Sequence, residues 1–107
     1  VMGIVPYNLF LSNTWSLSDG KSAIGINRVI EAIDYVCQLV GNATHVGLGT
    51  DFDGGFGSES TPQELNTIAD LWGLKDALAM RGYSQVDIAN ILGGNMLRQL
   101  RASLKGR

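Results

Sequence analysis

The sequence predicts an α/β fold with about two parallel strands and helices packed around them. Three observations carry this expectation. Two short apolar runs, VMGIV and HVGLGT, are each closed off by turn-forming residues. Between them lies a stretch whose apolar residues recur at helical spacing. After the second run, helix-type spacing returns and fills most of the remaining chain. Strand, helix, strand in that order implies parallel pairing through a right-handed crossover. At 107 residues the chain has the size of one small domain.

The elements follow in order. Residues 1–5 are rich in β-branched side chains and stop at Pro6, as a buried strand would. The segment SNTWSLSDGK is polar and turn-rich, hence a loop. Ile26, Val29, Ile30, Ile33, Cys37 and Val40 then fall on one helical face, predicting a helix over 24–40 with Gly41 as its left-handed stop. Residues 45–50 form the second strand. Thr61-Pro62-Gln63-Glu64 has the pattern of a helix start at Pro62. Thr67 followed by Asp70 offers a second start. Leu71, Leu74, Ala77 and Leu78 keep the helical period to about Arg81, and Gly82 ends it. Ser84 and Asp87 predict another cap, with a helix to about Leu92. Gly93-Gly94 is expected to break it before a last helix, NMLRQLRASLK.

Two parallel strands do not make a stable sheet alone. Both runs look buried on both faces, so neighbouring strands are expected from a missing segment or from other copies of the chain. The chain also starts at Val1, without Met and already inside an apolar run, and is read as a piece of something longer.

Composition narrows the partners. A formal net charge of −2 gives no basic footprint for nucleic acid and no polybasic patch for a membrane surface. No apolar run approaches the ~20 residues that span a bilayer, and the start lacks the basic pattern of a signal peptide. The single Cys37 forms no internal disulfide, which is compatible with a reducing, cytoplasmic compartment without fixing localisation.

Chemistry is concentrated in HVGLGTDFDGG, residues 45–55. Ligands of parallel α/β folds sit at the carboxyl ends of the strands. Asp51 lies immediately beyond the second strand, at that end. Gly54, Gly55 and Gly57 let the following backbone turn sharply. Asp51 and Asp53 are candidates for chemistry, or simply cap turns as Asp often does. His45 is the only histidine, and it sits at the opposite end of its strand, about 17–20 Å from Asp51. One His and one Cys make no typical zinc site by themselves. Cys37 is on an apolar helix face and reads as a buried thiol. Trp15 lines a pocket or covers the core edge, and Trp72 reads as packing. Arg98 and Arg101 read as solvated or carbonyl-capping charges.

These residues also carry a resemblance. The strand ending in Asp-Phe-Asp-Gly, Val46 to Gly54, resembles the membrane (renal) dipeptidase family, peptidase family M19. So do the proline-bearing loop near Pro62, the helix ending in Arg81-Gly82, and the pattern Leu92, Gly93, Asn95, Arg98. IDYVCQLVG is similar to the family's helix before its last strand. The resemblance implies a (β/α)8 TIM barrel of the metal-dependent, amidohydrolase type, of which residues 1–107 are the C-terminal segment of a single barrel domain. Residues 1–5 become the seventh strand and 45–50 the eighth. The implied activity is zinc-dependent hydrolysis of dipeptides. Two Zn2+ ions share a hydroxide that attacks the peptide carbonyl, with all metal ligands outside this chain. Asp51 matches the acid that shuttles the proton to the departing amine, and Asp53 fixes the loop. Tyr7 matches a tyrosine that touches substrate, although the family's Asn-Phe-Tyr is here Val5-Pro6-Tyr7. The expected partners are the dipeptide and the remainder of the barrel or other copies of the chain, and the isolated chain is expected to be inactive.

Other readings compete. A strand followed by Asp-x-Asp-Gly also resembles the haloacid-dehalogenase phosphatases, with Asp51 as nucleophile, Asp53 as acid/base and Mg2+ between them. Gly54-Gly55 replaces the hydroxyl residue usual there. A non-catalytic barrel fragment is the remaining alternative. DFDGG is too short for an EF-hand loop.

Overall fold

A computed structural model describes residues 1–52 and 54–105. The order is β1 (Met2–Ile4), α1 (Asn8–Leu11), α2 (Asn27–Val40), β2 (Val46–Leu48), α3 (Gly73–Met80), α4 (Gln85–Ala89) and α5 (Asn95–Lys105). Short 3-10 turns fill the connections. β1 and β2 pair in parallel, with Met2 opposite Val46, Gly3 opposite Gly47 and Ile4 opposite Leu48. Both strands are shorter than the expected 1–5 and 45–50. Pro6 has no N–H for the ladder, and the Tyr7 N–H turns back to the Val5 carbonyl at 2.8 Å.

Helix α2 supplies the core with Val29, Ile30, Ile33, Val36 and Cys37. They join Ile4, Val46, Leu74, Leu78, Ile88 and Ile91 in one apolar cluster. Gly41 closes the helix in the left-handed conformation, φ 84°. The helix begins at Asn27 rather than residue 24 because Ile24 is extended and its carbonyl accepts from Gln63 N at 2.8 Å. Strand alternation turns Gly3 and Gly47 to the face opposite Ile4 and Val46. Met96 lies there, and a β-carbon added at Gly47 would stand only 3.0 Å from its terminal methyl.

The helix start expected at Pro62 does not form. Glu64 reaches across the fold instead, and its carboxylate accepts the Ile26 N–H at 2.8 Å, capping α2 rather than its own segment. The ammonium of Lys21 donates to the Leu65 carbonyl at 2.7 Å and to Asn66 Oδ1 at 3.0 Å, which fixes this loop. The second start is the real one. Asp70 Oδ2 accepts from Asn66 N at 2.8 Å and Thr67 N at 2.9 Å, and a 3-10 stretch at Ile68–Trp72 leads into α3. Trp72 is 71% exposed, so the packing role read for it is not found among the described residues. Trp15 is buried at the core edge and donates its indole N–H to Gly20 O at 2.8 Å.

Past α3, Gly82 adopts φ 101° and Ser84 caps α4 by accepting Asp87 N at 3.1 Å. Gly93-Gly94 does not break the helix. A π-helical segment, Asn90–Gly94, carries it into α5, and Gly94 leaves room for Asn90, whose Oδ1 would be 2.7 Å from an added β-carbon. The Arg81-Gly82 turn is tied to α2 through Asp34. Arg81 lies 3.2 Å from the Asp34 carboxylate, and the Tyr83 hydroxyl donates to it at 2.6 Å.

The Tyr83 hydrogen bond, with help from Arg81, holds the Asp34 carboxyl below its ordinary value. A depressed folded value means the stabilisation is complete above the unfolded value of about 3.9 and disappears as pH falls through the folded one. Asp34→Asn is therefore expected to flatten the loss of stability below about pH 4, read from denaturant unfolding across pH.

Candidate active site

The sheet register gives the two expected site residues the same offset in sequence from a paired strand position. Ile4 and Leu48 are paired, Tyr7 lies three residues beyond Ile4, and Asp51 lies three residues beyond Leu48. Both therefore stand past the carboxyl ends of adjacent parallel strands, the end where such folds bind ligands. Asp51 is exposed, and its backbone is left-handed at φ 50°. A non-glycine residue adopts that conformation at some cost, and Asp tolerates it better than most. The turn is closed by Gly54 N donating to Asp51 O at 2.9 Å. The Asp51 carboxyl folds back over this turn. A β-carbon at Gly54 would stand 2.6 Å from Asp51 Cγ and 2.7 Å from Asp51 O.

Gly54→Ala is thus expected to displace the Asp51 carboxyl while leaving the core intact. A misplacement of about 1 Å costs on the order of a hundredfold in rate when the group acts in catalysis. The check is the activity of the complete protein, measured alongside its circular dichroism. An unchanged activity would separate the carboxyl's position from turnover.

Tyr7 is half-buried. Its ring stacks on Phe56, centroids 4.3 Å apart and 10° from parallel, and meets Phe10 edge-on at 4.9 Å. Phe56 thereby joins the glycine-rich loop after β2 to the turn after β1. Its place in DFDGGF gave no signal, because the partner is 49 residues away. Asn8 was also missed. It is fully buried, and its amide donates to Thr61 O at 3.1 Å, anchoring α1 to the loop beyond the site. A lone Asn within an apolar run was the only available cue.

The other candidates lie elsewhere. His45 is exposed at the amino end of β2, where its carbonyl accepts Met2 N at 2.7 Å. Cys37 is a buried free thiol. Asp53 lies outside the described residues. Among the described residues no three His, Cys, Asp or Glu side chains gather as a metal would require, so this chain's described residues do not by themselves fit a zinc centre.

The second half of the motif is structural. Asn95 is fully buried, and its amide donates to Ala43 O at 2.7 Å and Val46 O at 2.8 Å. Carbonyls alternate between the two edges of a strand. His45 O faces β1, so Val46 O faces the other edge, where Asn95 occupies it. Arg98 donates to Asn95 Oδ1 at 3.0 Å and to the Thr44 carbonyl. Its carbonyl partner is thus in the loop before β2, not at the end of its own helix.

The class these features describe is a parallel α/β protein with an exposed acid beyond the carboxyl end of its strand pair. Comparison with known proteins makes that class specific. The family model for "Membrane dipeptidase (Peptidase family M19)" matches residues 1–105, and the chain belongs to that family. The dipeptidase aclJ of Aspergillus oryzae is 37% identical over 98 residues, 92% of this chain and 22% of that protein. An uncharacterized dipeptidase of Schizosaccharomyces pombe is 37% identical over 73 residues, 68% of this chain and 17% of that protein. An uncharacterized protein in the pqqA 5′ region of Klebsiella pneumoniae is 34% identical over 101 residues, 92% of this chain and 35% of that protein. The chain therefore spans about a third or less of the curated relatives it matches. No solved structure gives a significant match.

Proposed function

We propose that residues 1–107 form the C-terminal segment of a single (β/α)8 barrel domain that hydrolyses dipeptides, with Asp51 moving the proton. The observation that carries this reading is the placement of an exposed Asp51 beyond the carboxyl end of a parallel strand pair, in a chain of the membrane dipeptidase family. Relatives named dipeptidase support the substrate class. The family membership favours a peptidase over the phosphatase reading of Asp51 and Asp53.

The barrel itself is supported by what this chain leaves uncovered. The outer edge of β1 and the exposed Tyr35, Leu39 and Val40 of α2 border an apolar trough of about 960 Å3, with Met2 59% exposed. A preceding strand and helix would cover that surface. In this reading any zinc would be held by side chains in the remainder of the barrel.

In the reaction, water adds to the peptide carbonyl and loses a proton to the Asp51 carboxylate. Asp51 then returns that proton to the amine nitrogen as the C–N bond breaks, acting first as base and then as acid. Substrate contact is assigned to Tyr7, and its stack on Phe56 supports this by holding the ring in place.

The test is a pair of assays. The complete protein carrying this segment is expected to release amino acids from dipeptides, and the purified 107-residue chain is expected to release none. Failure of the complete protein on every dipeptide would overturn the activity. Hydrolysis by the short chain alone would overturn its reading as an incomplete barrel.

A further inference from the structure

We propose that the cleft lined by Phe52, the residue that follows Asp51, is the subsite for one side chain of the dipeptide, and that it selects an apolar one. This rests on the dipeptidase reading and adds the class of substrate. The cleft has a volume of about 330 Å3 and is walled by Phe52, Phe56, Leu65 and Ile68. Sites for drug-sized ligands start at about 300 Å3, so this cleft has ample room for one side chain.

Three features point to an apolar occupant of the catalytic site. The first is continuity with that site. Phe52 follows Asp51 directly, and Phe56, which forms part of the wall, is stacked on Tyr7. The second is charge. Beyond the four apolar walls the described lining consists of Gly57, Ser58, Thr61 and Asn66, with no charged side chain. The Thr61 hydroxyl is already engaged, 2.6 Å from Leu65 O. An apolar side chain entering here would bury its surface against Phe52, Phe56, Leu65 and Ile68, which is favourable. The third is rigidity. Lys21 holds Leu65 and Asn66, and Asp70 accepts the Asn66 and Thr67 N–H groups, so the wall is fixed before substrate arrives. Ile68 is 72% exposed at the rim, apolar surface that the described residues leave uncovered.

The experiment uses the complete enzyme and dipeptides in which one position is varied through Ala, Leu, Phe, Asp and Lys while the other is kept constant. At one of the two positions, kcat/KM is expected to rise about tenfold or more from Ala to Leu or Phe, and to fall below Ala for Asp and Lys. Ile68 lies outside the apolar core cluster, so Ile68→Asp and Ile68→Lys leave that cluster untouched. Ile68→Asp is expected to raise the Lys-to-Asp preference ratio at that position about tenfold, and Ile68→Lys to lower it by a similar factor. Ratios between substrates cancel any common effect of the new charge on Asp51. Equal preference ratios in the parent and both variants, with dipeptides still hydrolysed, would overturn the subsite and leave the dipeptidase reading standing. Loss of all dipeptide hydrolysis in the parent would overturn both.

Discussion

Asp51→Asn in the complete enzyme is expected to lower kcat by about 10²–10⁴, the range removed when a general acid–base group is lost. Asn keeps the size and the left-handed backbone preference of Asp. The turn from Asp51 O to Gly54 N at 2.9 Å therefore survives, and the variant should fold normally. On the proposed function, what it loses is the ability to take a proton from water and return it to the amine. KM should change little by comparison, because the proposed role has the carboxyl acting on the reacting atoms rather than on binding. A variant that kept near-normal kcat would remove Asp51 from the mechanism. A loss confined to KM would make it a binding group instead.

Asn95→Leu is expected to be the most destabilising single change in the motif, by about 2–4 kcal/mol. One amide group satisfies two carbonyls, Ala43 O and Val46 O, in a fully buried position. Leucine fits the volume but donates nothing, so both acceptors lose their partner at once. Arg98 also loses Asn95 Oδ1 and retains only the Thr44 carbonyl. The midpoint of denaturant unfolding measures the loss. Asn95→Asp is the informative companion, since it keeps the acceptor for Arg98 but cannot donate to the two carbonyls when ionised. If Asn95→Asp were as stable as the parent, the two carbonyl contacts would not be what holds the loop before β2.

Much of this arrangement was readable from local chemistry. The two apolar runs became a parallel pair, because a strand–helix–strand order leaves little else. Gly41 and Gly82 took positive φ where the helical spacing ended, and Ser84 capped where a Ser stood three residues before an Asp. Misreadings arose where a side chain chose a distant partner over its neighbours. Glu64 carries the signature of a local capping box, but Ile26 N–H lies within its reach and belongs to a helix that needs a donor satisfied. Gly93-Gly94 has the composition of a break. Burial of Ile91 and Asn95 on the same side outweighs the glycine penalty, and a π turn absorbs the mismatch.

The site divides the same way. Asp51 could be placed by counting from the end of a strand, which is local information. The stack of Tyr7 on Phe56 could not, since it depends on the register between β1 and β2. Trp72 is exposed in this chain although its size and position in a helical run suggest packing. Nothing within the described residues covers it.

Two carboxylates stand two residues apart after β2, and only one is assigned the proton. Side-by-side kcat values for Asp51→Asn and Asp53→Asn in the complete enzyme test that assignment most directly. Asp51→Asn is predicted to lose a hundredfold or more, and Asp53→Asn to stay within about tenfold of the parent. A collapse of turnover in a folded Asp53→Asn variant, with Asp51→Asn near normal, would contradict it.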